Sequence, residues 1–504
     1  MRVVSAAPVR ALFRFACVAA MAAGACTAPD RPGDSGAAGI AGSGATGGTG
    51  SLAGNGGSTA GSGAAAGTGG SVAGAGGTGT TGTGGASGSG NTSGTGGAAA
   101  GSGGTTGSGA GGGNAGSGGV TTGTAGTGGT APVVVIPGAG NCIPPAAANP
   151  ADAAAAYAKW KTDILTSDGA GGFLRTRRPN SASAVVNSTV SEGIAYGMLL
   201  SVYAGDQPTF DKLWQYSQIH LGSNGLMDWY IGPSGELLGS GAASDADEDM
   251  AYALIAADAR WGGRGSLTTN YIDLAKTLIG KIWQYEVDHT RADVLKPGDQ
   301  GFDGSVINIS YFAPAYFRVF GRVTGQTANW NNAAKTSYDV IEKTLNAQNG
   351  NMTNGLVPAW STPAGVPMAP PGTSMPIHHQ LDSCRTPFRI AVDYCWNAEP
   401  RALTYLQKIT GFYANIGAAN IVDGYDLNGT ARPQNVTSGG PRAASFNGPA
   451  GAGAMATGAT NATLRNEAYA GVATLMQLAG STYYQESWTG LSLQFMTGLM
   501  PVPR

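Results

Sequence analysis

Three carboxylates in this chain stand where acid–base chemistry could be done: Glu192, Asp245 and Asp382. Each lies where an irregular segment meets the start of an apolar run with helical spacing, a place where a fold can hold a side chain rigidly. Glu192 occurs in Val190-Ser191-Glu192-Gly193-Ile194-Ala195-Tyr196-Gly197-Met198. Ser191 can cap this helix, and an acid in a first turn often does no more than compensate the helix dipole. An ordinary surface helix, however, would not surround that acid with Gly193, Ala195, Gly197 and Met198. Such neighbours imply close contact and a desolvated carboxyl, whose pKa rises toward the range a general acid needs near neutral pH.

Asp245 belongs to the run ASDADEDMAYALIAADARW, from Ala243 to Trp261. Ser244 followed by Asp247 reads as a helix start with acids on the positive end of the dipole. Met250, Ala253, Leu254, Ala257 and Trp261 then fall on one face, and Asp247 and Asp249 read as structural, capping the helix. Asp382 lies in PIHHQLDSCRTPF, residues 376–388, before a helix through Phe388, Ile390, Ala391 and Trp396. Alone it would be an N-cap. Two aromatic residues complete the set. Trp229 follows Asn224-Gly225-Leu226-Met227-Asp228, and Tyr311 sits in Asn308-Ile309-Ser310-Tyr311-Phe312-Ala313-Pro314.

Read together, these blocks resemble glycoside hydrolase family 8. That family's signature starts Ala-Ser/Thr-Asp-Ala/Gly-Asp and ends in an aromatic, and every position from Ala243 to Trp261 is acceptable to it. The resemblance extends from about residue 150 to 500 and implies an inverting endo-β-1,4-glucanase. Glu192, in a Ser-Glu-Gly-x-x-Tyr-Gly-Met motif, takes the position of the proton donor. Asp245 takes that of the carboxylate that holds the sugar in a distorted, oxocarbenium-like form. Asp382, followed by Arg385 and a Thr-Pro-aromatic-Arg segment, matches the branch whose catalytic base is this aspartate, with Arg385 keeping it ionised. Trp229 matches a tryptophan that stacks on a sugar face. Tyr311 is either a helper beside the attacking water or an aromatic core residue. Two departures stand out: His379-Gln380-Leu381 where relatives often carry aromatic residues, and Ala359 in GLVPAW where an Asp is expected.

The chemistry so implied needs two carboxyls flanking a glycosidic bond, one protonated and one ionised, and requires neither metal nor organic cofactor. A β-glucan polysaccharide is the expected partner, cellulose or mixed-linkage glucan. A xylanase or chitosanase of the same mechanism is the alternative, and a non-catalytic polysaccharide-binding surface protein is the rival of another class. A polysaccharide lyase would want a Tyr/His or Asn/His pair, and none of the four histidines lies in a comparable block. No histidine or cysteine cluster has zinc spacing. A formal net charge of -2 over 504 residues gives no reason to expect nucleic acid.

Around these residues the chain divides by composition. Residues 1–25 read as an export signal, with Arg2, Arg10 and Arg14 ahead of the apolar Phe15–Ala22 and a small-residue cleavage site. Cys26 follows at once, as in a lipoprotein, although Ala23 stands where such signals usually carry Leu. Outer-membrane anchoring through Cys26 and simple secretion both place the mature protein outside the cytoplasm. Residues 26–140 form a Gly/Ser/Thr/Ala-rich linker with no charge between Asp34 and Asp152. Such a tract cannot offset its ordering entropy and is expected to be disordered, with a mean reach of about 55 Å.

From 141 to 504 the pattern is helix after helix. Expected helices span about 151–166, 191–204, 208–221, 246–261, 267–286, 310–324, 330–346, 387–396, 399–415, 461–479 and 482–498. An all-α fold follows. Eleven helices with alternating short and long loops suit an (α/α)6 barrel with one helix missed, which the resemblance also implies. A monomer is expected. Five cysteines are too few for a disulfide scaffold. Cys384 and Cys395 read as buried thiols, and Cys142 is undecided.

Overall fold

A computed structural model describes residues 140–179, 184–433, 444–475 and 483–501. The export signal, Cys17, Cys26 and all but the last residue of the linker lie outside the described residues.

Twelve α-helices run through them: α1 Pro150–Asp163, α2 Ser191–Ala204, α3 Gln207–Gln218, α4 Ser244–Trp261, α5 Tyr271–Tyr285 and α6 Pro314–Thr324. They continue as α7 Thr327–Thr344, α8 Thr386–Asn397, α9 Pro400–Ile416, α10 Ala444–Ala456, α11 Ala462–Leu475 and α12 Tyr483–Met496. The even-numbered helices touch in sequence and α12 returns to α2, so they close an inner ring. The odd-numbered helices form an outer layer, each against one or two inner ones. This is an all-α (α/α)6 barrel. Short antiparallel pairs decorate the loops, among them Thr189–Val190 with Tyr230–Ile231.

Burial explains the two layers. In α2 every residue from Ser191 to Tyr203 is buried, and in α4 every residue from Ser244 to Ala257, so neither has a solvent face. Outer helices bury a stripe only, as in α5 with Tyr271, Ala275, Leu278, Ile279 and Ile282. Gly197 lets α2 approach its neighbours. A Cβ there would lie 2.8 Å from Leu213 and 2.9 Å from Trp160.

The helix that pattern reading misses is α10, ASFNGPAGAGAMA. Its Pro449 lacks an N–H and its glycines disfavour a helix. Tertiary contact overrides both, since all thirteen residues are buried and Gly448 would bring a Cβ to 2.1 Å from the Ser492 hydroxyl. The helix expected at 310–324 is also divided. A 3-10 turn, Ile309–Tyr311, precedes Pro314, which starts α6.

Cysteine pairing departs from expectation. Cys395, read as a thiol, forms a disulfide with Cys142 across 253 residues of sequence. Their backbones already meet, because Asn141 N–H donates to Cys395 O at 2.9 Å. The partner arrives from the far end of the domain, which no local spacing announces. Cys384 is a free, buried thiol, as expected.

Candidate active site

The site lies where the N-terminal ends of the inner helices converge. Glu192 is the second residue of α2 and Asp245 the second of α4. Tyr311 ends the turn before α6. Asp382 precedes the 3-10 turn Ser383–Arg385 that leads into α8, and Tyr483 begins α12. Helix N-termini favour negative charge nearby, and here several point toward one cluster of carboxylates.

Arg385 joins the cluster. Its Nη1 donates to Glu192 Oε2 and to Asp245 Oδ2, each at 2.6 Å. Its Nη2 lies 3.3 Å from Asp382 Oδ1 and donates to Ser310 Oγ at 2.8 Å. The guanidinium also stacks on the Tyr311 ring, 5.1 Å from its centre. All four charged groups are buried, Asp245 being 2 % exposed and Asp382 1 %. Arg385 is therefore not a private partner of Asp382. It is shared by three acids, and its shorter bonds go to the other two.

One cation cannot neutralise three desolvated carboxylates, so the cluster favours a proton on one of them. Burial pushes Glu192 up to about 8, against the pull of Arg385 and with the negative charge of Asp245 adding to the rise. Its Oε1 accepts from the Tyr483 hydroxyl at 2.8 Å. Gly193 makes that approach possible, since a Cβ would stand 2.9 Å from the Tyr483 ring.

A second ionic layer lies one helical turn deeper. Arg389 Nη1 and Nη2 donate to Asp249 Oδ1 and Oδ2 at 2.8 and 3.0 Å. Asp245 and Asp249 are four apart on α4, as are Arg385 and Arg389 at the start of α8, so the pairs stack as two rungs between the helices. Asp249 thus fills a buried bidentate ion pair rather than capping its helix. Asp247 does not cap either. It is buried against Glu286, and burial raises both carboxyls well above the usual range.

The expected serine caps are absent as well. Ser244 directs its hydroxyl to Lys296 O at 2.6 Å, and α4 starts without a side-chain cap. Ser191 is the first residue of α2, its N–H donating to Trp229 O at 3.0 Å. Charge from the acids themselves, rather than hydroxyl capping, occupies these helix ends.

Trp229 stands beside the cluster. It stacks on Tyr230 with ring centres 4.9 Å apart. It is 2 % exposed, and with Tyr311, Trp360, Phe302, Pro297, Ala242 and Ala243 it lines a narrow recess. Ala359 is fully buried in a small core with Val306, Trp360 and Met375. Tyr196, Ser310 and Tyr483 also belong to the site, and nothing in their own sequence motifs marks their roles. The paired i, i+4 spacing of Asp245/Asp249 and Arg385/Arg389 was the available signal for the two rungs.

Among the described residues no group of three or more metal-ligating side chains is arranged to hold an ion, and no helix is long and apolar enough to cross a membrane.

Residues 142–498 match the family model described as glycosyl hydrolases family 8. Endoglucanase A of Acetivibrio thermocellus is 38% identical over 353 residues, 69% of each chain. Endoglucanase 2 of Ruminiclostridium josui is 39% identical over 348 residues, 68% of this chain and 70% of that one. The solved apo structure of a β-1,3-1,4-glucanase from Paenibacillus sp. X4 superposes with a TM-score of 0.62 at 28% identity, covering 71% of this chain and 95% of that one. The chain belongs to family 8 of the glycosyl hydrolases and is a glycoside hydrolase of the endoglucanase type.

Proposed function

We propose that the protein cleaves internal β-1,4 linkages of cellulose or mixed-linkage β-glucan with inversion of configuration. The observation that carries this reading is the single guanidinium holding Glu192, Asp245 and Asp382, with Glu192 driven toward its protonated form. Glu192 protonates the departing glycosidic oxygen. Asp382 takes a proton from a water that attacks the anomeric carbon from the opposite face. Asp245 and Tyr311 hold the sugar and the water, and Trp229 lines the narrow recess beside Tyr311. Glu192 and Asp382 meet different nitrogens of Arg385, and an inverting pair works with a water between the base and the sugar.

Support for a glucan comes from relatives named endoglucanase and from a β-glucanase of Niallia circulans, 31% identical over 366 residues. Export through the signal at 1–25, with anchoring at Cys26 or secretion, accords with the Cys142–Cys395 disulfide, since such bonds persist in oxidising compartments. The Gly-rich tract then serves as the tether.

The test incubates the purified protein with carboxymethylcellulose, barley β-glucan, xylan and chitosan, following reducing ends, with Glu192→Gln in parallel. Hydrolysis of a glucan that the substitution abolishes is the expected result. Hydrolysis of xylan or chitosan alone would replace the substrate. Binding without hydrolysis would turn the reading to a non-catalytic surface protein.

A further inference from the structure

Gln380 lies in His379-Gln380-Leu381, where relatives often carry aromatic residues ahead of Asp382, and the structure gives it definite contacts. Its side-chain Nε2 donates to Asp382 Oδ2 at 2.8 Å. Its Oε1 accepts from the Asp382 backbone N–H at 3.1 Å. The amide therefore closes a ring on residue 382, gripping carboxylate and backbone together. The ring also fixes which end of the amide is which. Turned over, the amide would set an oxygen against a carboxylate and an NH2 against an N–H, repulsive at both ends.

Gln380 is itself rigidly held. It is 2 % exposed, and its carbonyl accepts from Cys384 N–H at 3.0 Å. The preceding His379 exchanges both backbone bonds with Tyr425, at 3.0 and 2.9 Å. The His379 ring is pinned between Val357 O and the Tyr413 hydroxyl. Burial keeps that ring neutral, with its pKa lowered to about 4, so it places no cation beside the acid. The strand-like bridge and the buried ring give the amide a fixed platform.

We propose that Gln380 is the positioning residue of the general base, holding Asp382 ionised and aimed where Arg385 alone cannot. This rests on the glycosidase reading given above. The physical need is visible in the charge count. Arg385 serves three acids, and its Nη2 bond to Asp382, at 3.3 Å, is longer than the 2.6 Å bonds to Glu192 and Asp245. A neutral donor on Oδ2 favours the ionised carboxylate without adding charge that would also ionise Glu192. The two oxygens are thereby distinguished. Oδ2 is engaged by the amide and Oδ1 faces the Arg385 side. In turnover an O–H bond of water breaks as its oxygen bonds the anomeric carbon, and that proton passes to the Asp382 carboxylate. The C1–O bond to the leaving sugar breaks with its electron pair, and that oxygen takes the proton of Glu192.

Among the ionisable groups around Asp382, Arg385 pairs with it directly, Glu192 from α2 and Cys384 on its own turn feel its charge, Asp245 from α4 and Tyr311 from before α6 meet the same Arg385, and Tyr484 from α12 donates to Leu381 O beside it. None of them changes in the test. Gln380→Leu keeps bulk and removes the donor. Gln380→Glu keeps shape and sets a second carboxyl against the first. The measurement is kcat/KM against pH on the polymer the wild type hydrolyses, with thermal unfolding recorded for each variant.

The acid limb, which reports the base, is expected to move up by about one pH unit in Gln380→Leu and further in Gln380→Glu. KM is expected to stay within about twofold, since the amide touches the acid and not the sugar. A loss of kcat equal at all pH values, with the limb unmoved, marks a merely structural side chain and overturns the proposal. An unchanged profile overturns it too. If Gln380→Leu does not fold, the limb of the isosteric Gln380→Glu decides in the same way. A wild type that hydrolyses no polymer fails the glycosidase reading itself, whereas wild-type hydrolysis with an unmoved limb overturns this inference alone.

Discussion

Replacing Arg385 by methionine removes the cation that three buried carboxyls share while keeping an unbranched side chain of similar reach. Taking one partner out of a buried ion pair costs about 3–5 kcal/mol, because the remaining charge is left uncompensated. The family match spans residues 142–498. At roughly 2.1 cal/mol/K per residue a domain of that size unfolds with about 0.75 kcal/mol/K, so the penalty lowers Tm by about 4–7 °C. The loss depends on pH, and its sign follows from proton linkage. Without Arg385 the cluster's carboxyls bind protons more tightly folded than unfolded. Above their unfolded pKa values, near 4, the folded variant holds more protons than the unfolded chain, and its stability falls as pH rises. The Tm deficit against wild type is therefore expected to be small at pH 4.5 and to reach its full value by pH 8. Thermal unfolding followed by circular dichroism at half-unit pH steps reads it directly. A deficit of equal size at every pH, or none at pH 8, would refute the electrostatic account of the site.

The Glu192→Gln variant is expected to lose about 10²–10⁴ in kcat while binding glucan, measured by reducing-end assay and calorimetry. Because the Glu192 pKa is raised to about 8, its contribution to stability is complete below the unfolded pKa and is lost as pH rises through 8. The glutamine variant should thus gain Tm relative to wild type between pH 6 and pH 9 in scanning fluorimetry. Asp249→Ala takes both hydrogen bonds from the buried Arg389 guanidinium and leaves it the Glu248 carboxylate at 3.1 Å, and is expected to cost about 3 kcal/mol in urea unfolding; a change below about 1 kcal/mol would dismiss the second rung. Cys142→Ser opens a loop of 253 residues and is expected to cost about 3–5 kcal/mol by the same measurement, with kcat unchanged. Gly239→Ala places a Cβ 2.5 Å from the Trp229 indole nitrogen and is expected to raise KM severalfold without slowing kcat, read from initial rates on soluble glucan.

The barrel was legible because its outer helices carry amphipathic stripes and its inner helices carry long runs of small apolar residues. Its one concealed helix, α10, is made by contact rather than propensity, and Pro449 and its glycines hide it from any pattern. Glu192 was legible because Gly193, Ala195 and Gly197 beside it are residues that a surface helix would not place there, whereas Asp245 and Asp382 stood out only through the family resemblance, Asp382 alone reading as an N-cap. The sharing of Arg385 was not legible. Glu192 lies 193 residues from it and Asp245 140, and only barrel closure brings the three helix ends together. The same holds for Tyr483, 291 residues from the Glu192 it contacts, and for the Cys142–Cys395 bond. Serine caps were misread at Ser191 and Ser244 for a related reason. Buried N-terminal ends gathered around a charged cluster have their dipoles answered by carboxylates, so neither helix uses a serine cap, and the Ser244 hydroxyl turns to Lys296 O.

The central claim is that Glu192 and Asp382 work on opposite sides of one glycosidic bond, with a water between base and sugar. Proton NMR of the first products from a soluble β-glucan tests it most directly, read before mutarotation scrambles the new reducing end. The account predicts an α-anomer, formed by a single inverting displacement. A β-anomer as the initial product would contradict it, because it would require a covalent intermediate and a nucleophile in place of the base.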